Sequence, residues 1–132
     1  MKNPAAIMVD GGYPPLALAG NRMLLAVHRP GWSTWLYCAL RGHGVETVEV
    51  LGTAQLERAL YHWPRLDAAI IDVGLPAVVY GEFLDVLRER APRLPLLFVA
   101  PSREPLPASV ARIPGACCVP IPNAIEALRT LH

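Results

Sequence analysis

The sequence predicts an α/β fold, a doubly wound five-stranded parallel sheet with about five helices on its two faces. Three observations point there. Short continuous apolar runs, the mark of a strand buried on both faces, alternate with segments whose apolar residues follow helical spacing. The connections between them are too short for anything but a crossover over one sheet face. Finally, 132 residues amount to about one domain, enough for a single layered core and too few for two.

Each element has its own signal. Residues 1–21 form an irregular N-terminal arm, because Pro4, Gly11, Gly12, Pro14, Pro15 and Gly20 break any long helix or central strand. The "AAIMV" of this arm adds an edge strand or covers a neighbour, or else the whole is a disordered leader. One domain then runs over residues 22–132. "RMLLAV" is the first strand and stops at "HRPGW". Ser33 caps a helix whose inward residues are Leu36, Leu40 and one of the nearby tryptophans, ending at Gly42 and Gly44. "VETVEV" is the second strand. Thr53 caps a second helix with Leu56, Ala59, Leu60 and Trp63 on one face, stopped by Pro64.

"AAIID" is the third strand, and after a loop "GEFLDVLRER" forms a third helix with Phe83, Leu84 and Leu87 inward. "LPLLFVA" is the fourth strand. Pro105, Pro107 and Pro114 leave room for little more than two turns between them, so the fourth helix is short or distorted. "CCVPI" is the fifth strand, which Pro120 pushes to the sheet edge. Asn123 and Glu126 then resemble a capping box opening "AIEALRTL".

Composition narrows the function. The chain is 53% hydrophobic and only 17% charged, against about 25% charged in an average soluble domain. Some apolar surface is therefore expected to meet a partner, another protein or a second copy. The net charge is +1 with basic residues scattered, which argues against direct nucleic-acid binding. Cys38, Cys117 and Cys118 are odd in number and include an adjacent pair that cannot close without strain, so a reducing cytoplasm is the simplest home. No run approaches the roughly 20 apolar residues of a membrane helix, and Asp10 cuts the initial apolar run too short for a signal peptide.

In a doubly wound sheet the working site lies beyond the carboxyl ends of the strands, where strand order reverses. That places the chemistry at His28-Arg29, Asp72 and Ala100-Pro101. Asp67 opens the third strand, Asp72 ends it, Leu75-Pro76 follow, Gly81 precedes the third helix and Pro95 opens the fourth strand; later comes "PGACCVPIP". In these features residues 22–132 resemble a response-regulator receiver domain of two-component signalling. The resemblance implies a flavodoxin-like fold and assigns to Asp72 the place of the aspartate that accepts a phosphoryl group from a histidine kinase.

The same resemblance exposes departures. Receivers hold Mg²⁺ with an acidic pair at the end of the first strand, and here those places are His28 and Arg29. Hard Mg²⁺ seeks carboxylate or carbonyl oxygens, so an arginine there repels it. The family's hydroxyl at the end of the fourth strand falls at Ala100, its fifth-strand lysine at Ile121 before Pro122, and its aromatic switch position near Cys118. Lys2 is the only lysine in the chain. His28, Arg29, Gly74, Ala100 and Ile121 thus outline a degenerate pocket around Asp72. Phosphoryl transfer gathers negative charge that metal and fixed cations must neutralise, and of those parts only Asp72 remains.

Three roles stand open for Asp72: a phosphoacceptor without its metal, an inherited structural carboxylate, or the partner of Arg29 in a partly buried ion pair that leaves the site neutral. His28 is a metal ligand or proton carrier, or a polar strand-end residue; His43 and His62 fall on helix or loop surfaces. Ser102 substitutes for the lost hydroxyl, serves as a phosphosite, or is a loop residue. Cys117-Cys118 is a redox pair or inert strand packing. Trp32 and Trp35 roof the pocket or form a contact surface, or fill the core. "PAVVYG" is too apolar for a solvated loop, so Val78, Val79 and Tyr80 are expected to form an exposed interaction patch.

Taken together, the residues and the resemblance imply a degenerate receiver acting as a protein-protein interaction module in bacterial signal transduction. It is expected not to be an enzyme and to need no cofactor or metal. The alternative is an atypical phosphorylatable receiver of a phosphorelay with Asp72 as acceptor. A small α/β enzyme is a third class, against which stands the absence of a Gly-rich phosphate loop, a nucleophile elbow or a metal cluster. In receivers the face of the fourth helix, fifth strand and fifth helix changes on activation. The prolines around the fourth helix suggest that this face is reshaped or static here.

Overall fold

The computed structural model describes residues 18–102, 105–116 and 118–130. Five parallel strands form one sheet in the order β2-β1-β3-β4-β5. They are β1 (Arg22–Ala26), β2 (Glu46–Glu49), β3 (Ala68–Asp72), β4 (Leu96–Ala100) and β5 (Cys118–Pro120). All four pairings are parallel. The helices among the described residues are α1 (Pro30–Gly42), α2 (Thr53–His62), α3 (Pro76–Val79), α4 (Glu82–Arg90), α5 (Ala108–Ala111) and α6 (Ala124–Arg129), the last preceded by a 3₁₀ turn, Ile121–Asn123. This is the flavodoxin-like arrangement, with the reversal of strand order between β1 and β3.

Alternation along the central strands sends neighbouring residues to opposite faces. Leu24, Ala69, Ile71 and Phe98 meet Leu56, Phe83, Leu84 and Val110 on the α2–α5 side. Leu25, Ile70, Leu97 and Val99 meet Leu36, Leu40, Ala124 and Leu128 on the α1 and α6 side. Every residue of β3 is buried, as expected of the middle strand of a sheet covered on both faces. Pro120 ends the edge strand β5, where its missing N–H removes no second ladder bond. Of the arm expected over residues 1–21, residues 1–17 lie outside the described residues. Leu18 is buried in the α1 and α6 core, and the Gly20 N–H donates to the Gly44 carbonyl at 2.9 Å.

Several helix starts differ from the sequence reading. The first helix begins at Pro30 rather than after Ser33, whose N–H is already bonded to the Arg29 carbonyl at 2.8 Å. Proline suits the first helical position because that N–H would have no partner there anyway. Thr53 is the first residue of α2 rather than its cap, which is Gly52; its hydroxyl instead donates to Glu82 Oε1 at 3.1 Å. Asn123 precedes α6 but makes no side-chain capping bond, because the 3₁₀ turn already carries the chain into the helix. The stretch 76–79, expected as loop, is the single-turn helix α3, started by Pro76 and closed before Gly81, whose φ of +89° suits glycine. Trp63 lies just past the end of α2, 37% exposed, and the Arg22 guanidinium sits 4.3 Å above its ring, so it is not part of the inner face of α2. The fourth of the expected helices is one turn long, as its prolines require. No helix among the described residues is long and apolar enough to cross a membrane.

Candidate functional site

Strand order places the carboxyl ends of β1 and β3 side by side, so His28 and Arg29 leave β1 next to the Asp72 that ends β3. Asp72 is fully buried, and it is the one buried polar or charged side chain among the described residues. A buried carboxylate costs several kcal/mol unless it is paired, and three partners surround this one. The Gly74 N–H donates to Oδ1 at 2.9 Å. Arg29 Nε lies 3.1 Å from Oδ2 and His28 Nδ1 lies 3.2 Å from the same oxygen. Arg29 approaches Oδ2 as a charge contact and the His28 ring nitrogen as a close neighbour, and that oxygen has no aligned hydrogen bond among the described residues.

The turn after β3 shapes the pocket to fit the arginine. Leu75 N–H bonds back to the Asp72 carbonyl at 3.1 Å, folding Val73 and Gly74 over the strand end. A Cβ on Gly74 would collide with Arg29 Nη2 and lie 3.3 Å from its Cζ. The lack of a side chain at Gly74 therefore makes the seat in which the guanidinium lies. Arg29 itself caps the start of α1, so the helix fixes the root of the side chain while Asp72 and Gly74 fix its tip. Its side chain is 26% exposed, so the pair is shielded from water on most sides.

Other expected site residues complete or leave this cluster. Ala100 is fully buried at the end of β4 and packs with Val73, Leu75 and Phe83, presenting a methyl where a hydroxyl was sought. Ile121 is likewise fully buried, but in the α1 and α6 core with Val27 and Val99; it fills space and offers no charge. Ser102 is exposed. Trp32 packs against the α1 and α6 core and meets Trp35 edge to face at 6.0 Å, which favours core packing over a pocket roof; Trp35 is 41% exposed. His43 and His62 are on the surface, as expected. Cys118 is half-buried against the α2–α5 core, and residue 117 lies outside the described residues.

The patch expected at Val78, Val79 and Tyr80 needs a correction. Val78 is fully buried, because α3 turns it onto the core beside Val110, while Val79 and Tyr80 are 43% and 84% exposed. His28 lies at the Asp72 cluster, where the sequence placed it, and what the sequence does not specify is that its ring reaches the same carboxylate oxygen as Arg29. The only signal for that contact was position: the residue just after an inner strand, next to the strand that ends on the carboxylate.

The donor set does not fit Mg²⁺. That ion needs near-octahedral oxygen coordination, whereas Asp72 has Oδ1 engaged by an N–H and Oδ2 faced by a guanidinium and an imidazole. Nor do the described residues gather three or more His, Cys, Asp or Glu side chains at any other point.

No family model and no curated protein matches the sequence. Solved structures do match in fold. The chain is similar to a protein from Chloroflexus aurantiacus described as a response regulator, with 23% identity, TM-score 0.51, and coverage of 60% of this chain and 66% of that one. It is similar to the N-terminal domain of the nisin resistance regulator NsrR, a lantibiotic response regulator, with 14% identity, TM-score 0.62, and coverage of 84% and 93%. A response regulator in red-light signalling of R. palustris matches with 14% identity, TM-score 0.55, and coverage of 83% and 90%. The chain therefore has the receiver fold.

Proposed function

We propose that this chain is a degenerate receiver, a protein-protein interaction module of bacterial signalling in which Arg29 holds Asp72 in place of metal and phosphate. One observation carries the reading: the guanidinium of Arg29 sits over Gly74 with Nε 3.1 Å from Asp72 Oδ2. A cation built into the chain at that position balances the charge of the buried carboxylate without any ligand. It also opposes a divalent ion by charge, and phosphoryl transfer loses the electrostatic stabilisation that is usually the largest catalytic contribution.

Two further features support the reading. Methyl and aliphatic groups stand at Ala100 and Ile121, so no hydroxyl or ammonium there senses a phosphoryl group. Val79 and Tyr80 leave apolar surface in water close to the strand ends, the kind of surface that marks a contact site. The module acts by binding a partner protein in the cytoplasm. It catalyses no reaction, requires no cofactor and contacts neither nucleic acid nor membrane.

Titration of the full chain with beryllofluoride and Mg²⁺, followed by the amide signals of Val27, Val73 and Gly74, tests this. The closed site gives no saturable change. A saturable change that Asp72→Asn abolishes would instead support an atypical phosphorylatable receiver with Asp72 as acceptor.

A further inference from the structure

We infer that the cleft between α3, α4 and α5 receives an acidic, apolar-tipped segment of the partner protein, an inference that rests on the interaction role proposed above. The cleft has a volume of about 180 Å³. That is below the roughly 300 Å³ at which small-molecule sites begin, and it suits one or two side chains of a peptide. Val79 and Tyr80 form one rim, 43% and 84% exposed, over a floor that includes Leu84 and Ser109.

Charge selects the occupant. Arg88 and Arg112 line the cleft and are exposed, and neither has an ion pair among the described residues. Arg22, Arg29 and Arg90 face carboxylates, and what sets Arg88 and Arg112 apart from the other arginines without an ion pair among the described residues is that both line this one cleft. Asp85 is the one acid lining the cleft, so two guanidiniums outweigh one carboxylate. Acidic side chains are attracted there and basic ones repelled. Tyrosine and arginine are also the residue types in which interface energy concentrates.

The cleft is fixed before binding. The Ser109 hydroxyl donates to the Val78 carbonyl at 2.5 Å, tying α5 to α3. Only Tyr80 and Gly81 link α3 to α4, with Gly81 in the left-handed conformation. A segment that docks there meets a preformed surface and orders little of the receiving chain.

The test is an amide NMR titration of the full chain with an acetylated peptide alternating glutamate and leucine, beside the same peptide with lysine for glutamate. Saturable shifts at Tyr80, Leu84, Ser109 and Arg112 with the glutamate peptide alone are expected. Arg112→Glu and Tyr80→Ala should each weaken the binding roughly tenfold while leaving the melting temperature close to the parent's. Equal response to the lysine peptide, shifts elsewhere on the surface, or no shifts would overturn the inference. So would shifts of the same amides with protein concentration alone, which would assign the cleft to a second copy. Beryllofluoride and Mg²⁺ added to the same sample separate the two failures: silence leaves the interaction-module reading standing without this cleft, and a saturable response defeats that reading itself.

Discussion

Arg29 and Gly74 share one space: the guanidinium of the first lies where a side chain on the second would have to go. Strand order brings them together, because β1 and β3 are neighbours and both residues follow the ends of those strands. The carboxylate of Asp72 lies beneath both, bonded to the Gly74 N–H and faced by Arg29.

Gly74→Ala should displace the guanidinium. Gly74 is not in the left-handed region, and the atom in the way is the tip of a flexible side chain, so the backbone tolerates alanine and the loss is the ion pair's geometry. A destabilisation of about 1 kcal/mol is expected. In an Arg29→Ala background the same change should be neutral or stabilise by about 0.4–1 kcal/mol, the gain from a less flexible unfolded chain. Urea unfolding of the four proteins of this double-mutant cycle measures the coupling. Equal effects in both backgrounds would show that Arg29 does not occupy the Gly74 seat.

Asp72→Ala should destabilise the fold by about 3 kcal/mol, the low end for breaking a buried pair, because Arg29 keeps 26% of its side chain in contact with water. Asp72→Asn retains an acceptor for the Gly74 N–H and should cost less. Unfolding midpoints show the order directly, and an Asp72→Ala protein as stable as the parent would contradict the pairing.

At the opposite end of the sheet, Arg22 donates to Glu46 Oε1 at 2.6 Å and covers the Trp63 ring at 4.3 Å. Its own N–H bonds Asp67 Oδ2 at 2.8 Å. Arg22→Ala keeps that backbone bond and loses only the exposed contacts, so about 1 kcal/mol is expected. The indole N–H signal of Trp63 should move while those of Trp32 and Trp35 stay in place.

Ser109→Ala removes the hydroxyl that ties α5 to the Val78 carbonyl. The expected cost is about 1 kcal/mol. Amide hydrogen exchange should quicken in α5, a one-turn helix with little of its own to hold it, and stay unchanged in α4.

The parts of the fold legible in the sequence were those with one dominant signal. "AAIID" reads as β3 to the residue, because its apolar run is bounded by Asp67 and by the Gly-Leu-Pro turn. Phe83, Leu84 and Leu87 keep helical spacing and are buried in α4 as expected. Helix starts failed where two signals competed: Ser33 looked like a cap, yet Pro30 had already begun α1. The short α3 was hidden because four residues carry no period, and with it the inward turn of Val78. At the site, Arg29 opposite Asp72 was legible from strand-end positions alone. The closeness of His28 to the same oxygen and the guanidinium seat at Gly74 depend on side-chain direction and on the turn after β3, neither of which spacing along the chain encodes.

The most direct measurement of the central claim is titration of the full chain with Mn²⁺, a paramagnetic stand-in for Mg²⁺, while watching the amide signals of Val73 and Gly74. With Arg29 seated beside Asp72 those signals keep their widths, and Arg29→Asp, which replaces the cation with a second carboxylate, introduces broadening at both. Broadening of both signals in the parent protein, removed by Asp72→Asn, would show that Asp72 accepts a divalent ion despite Arg29 and would contradict the account.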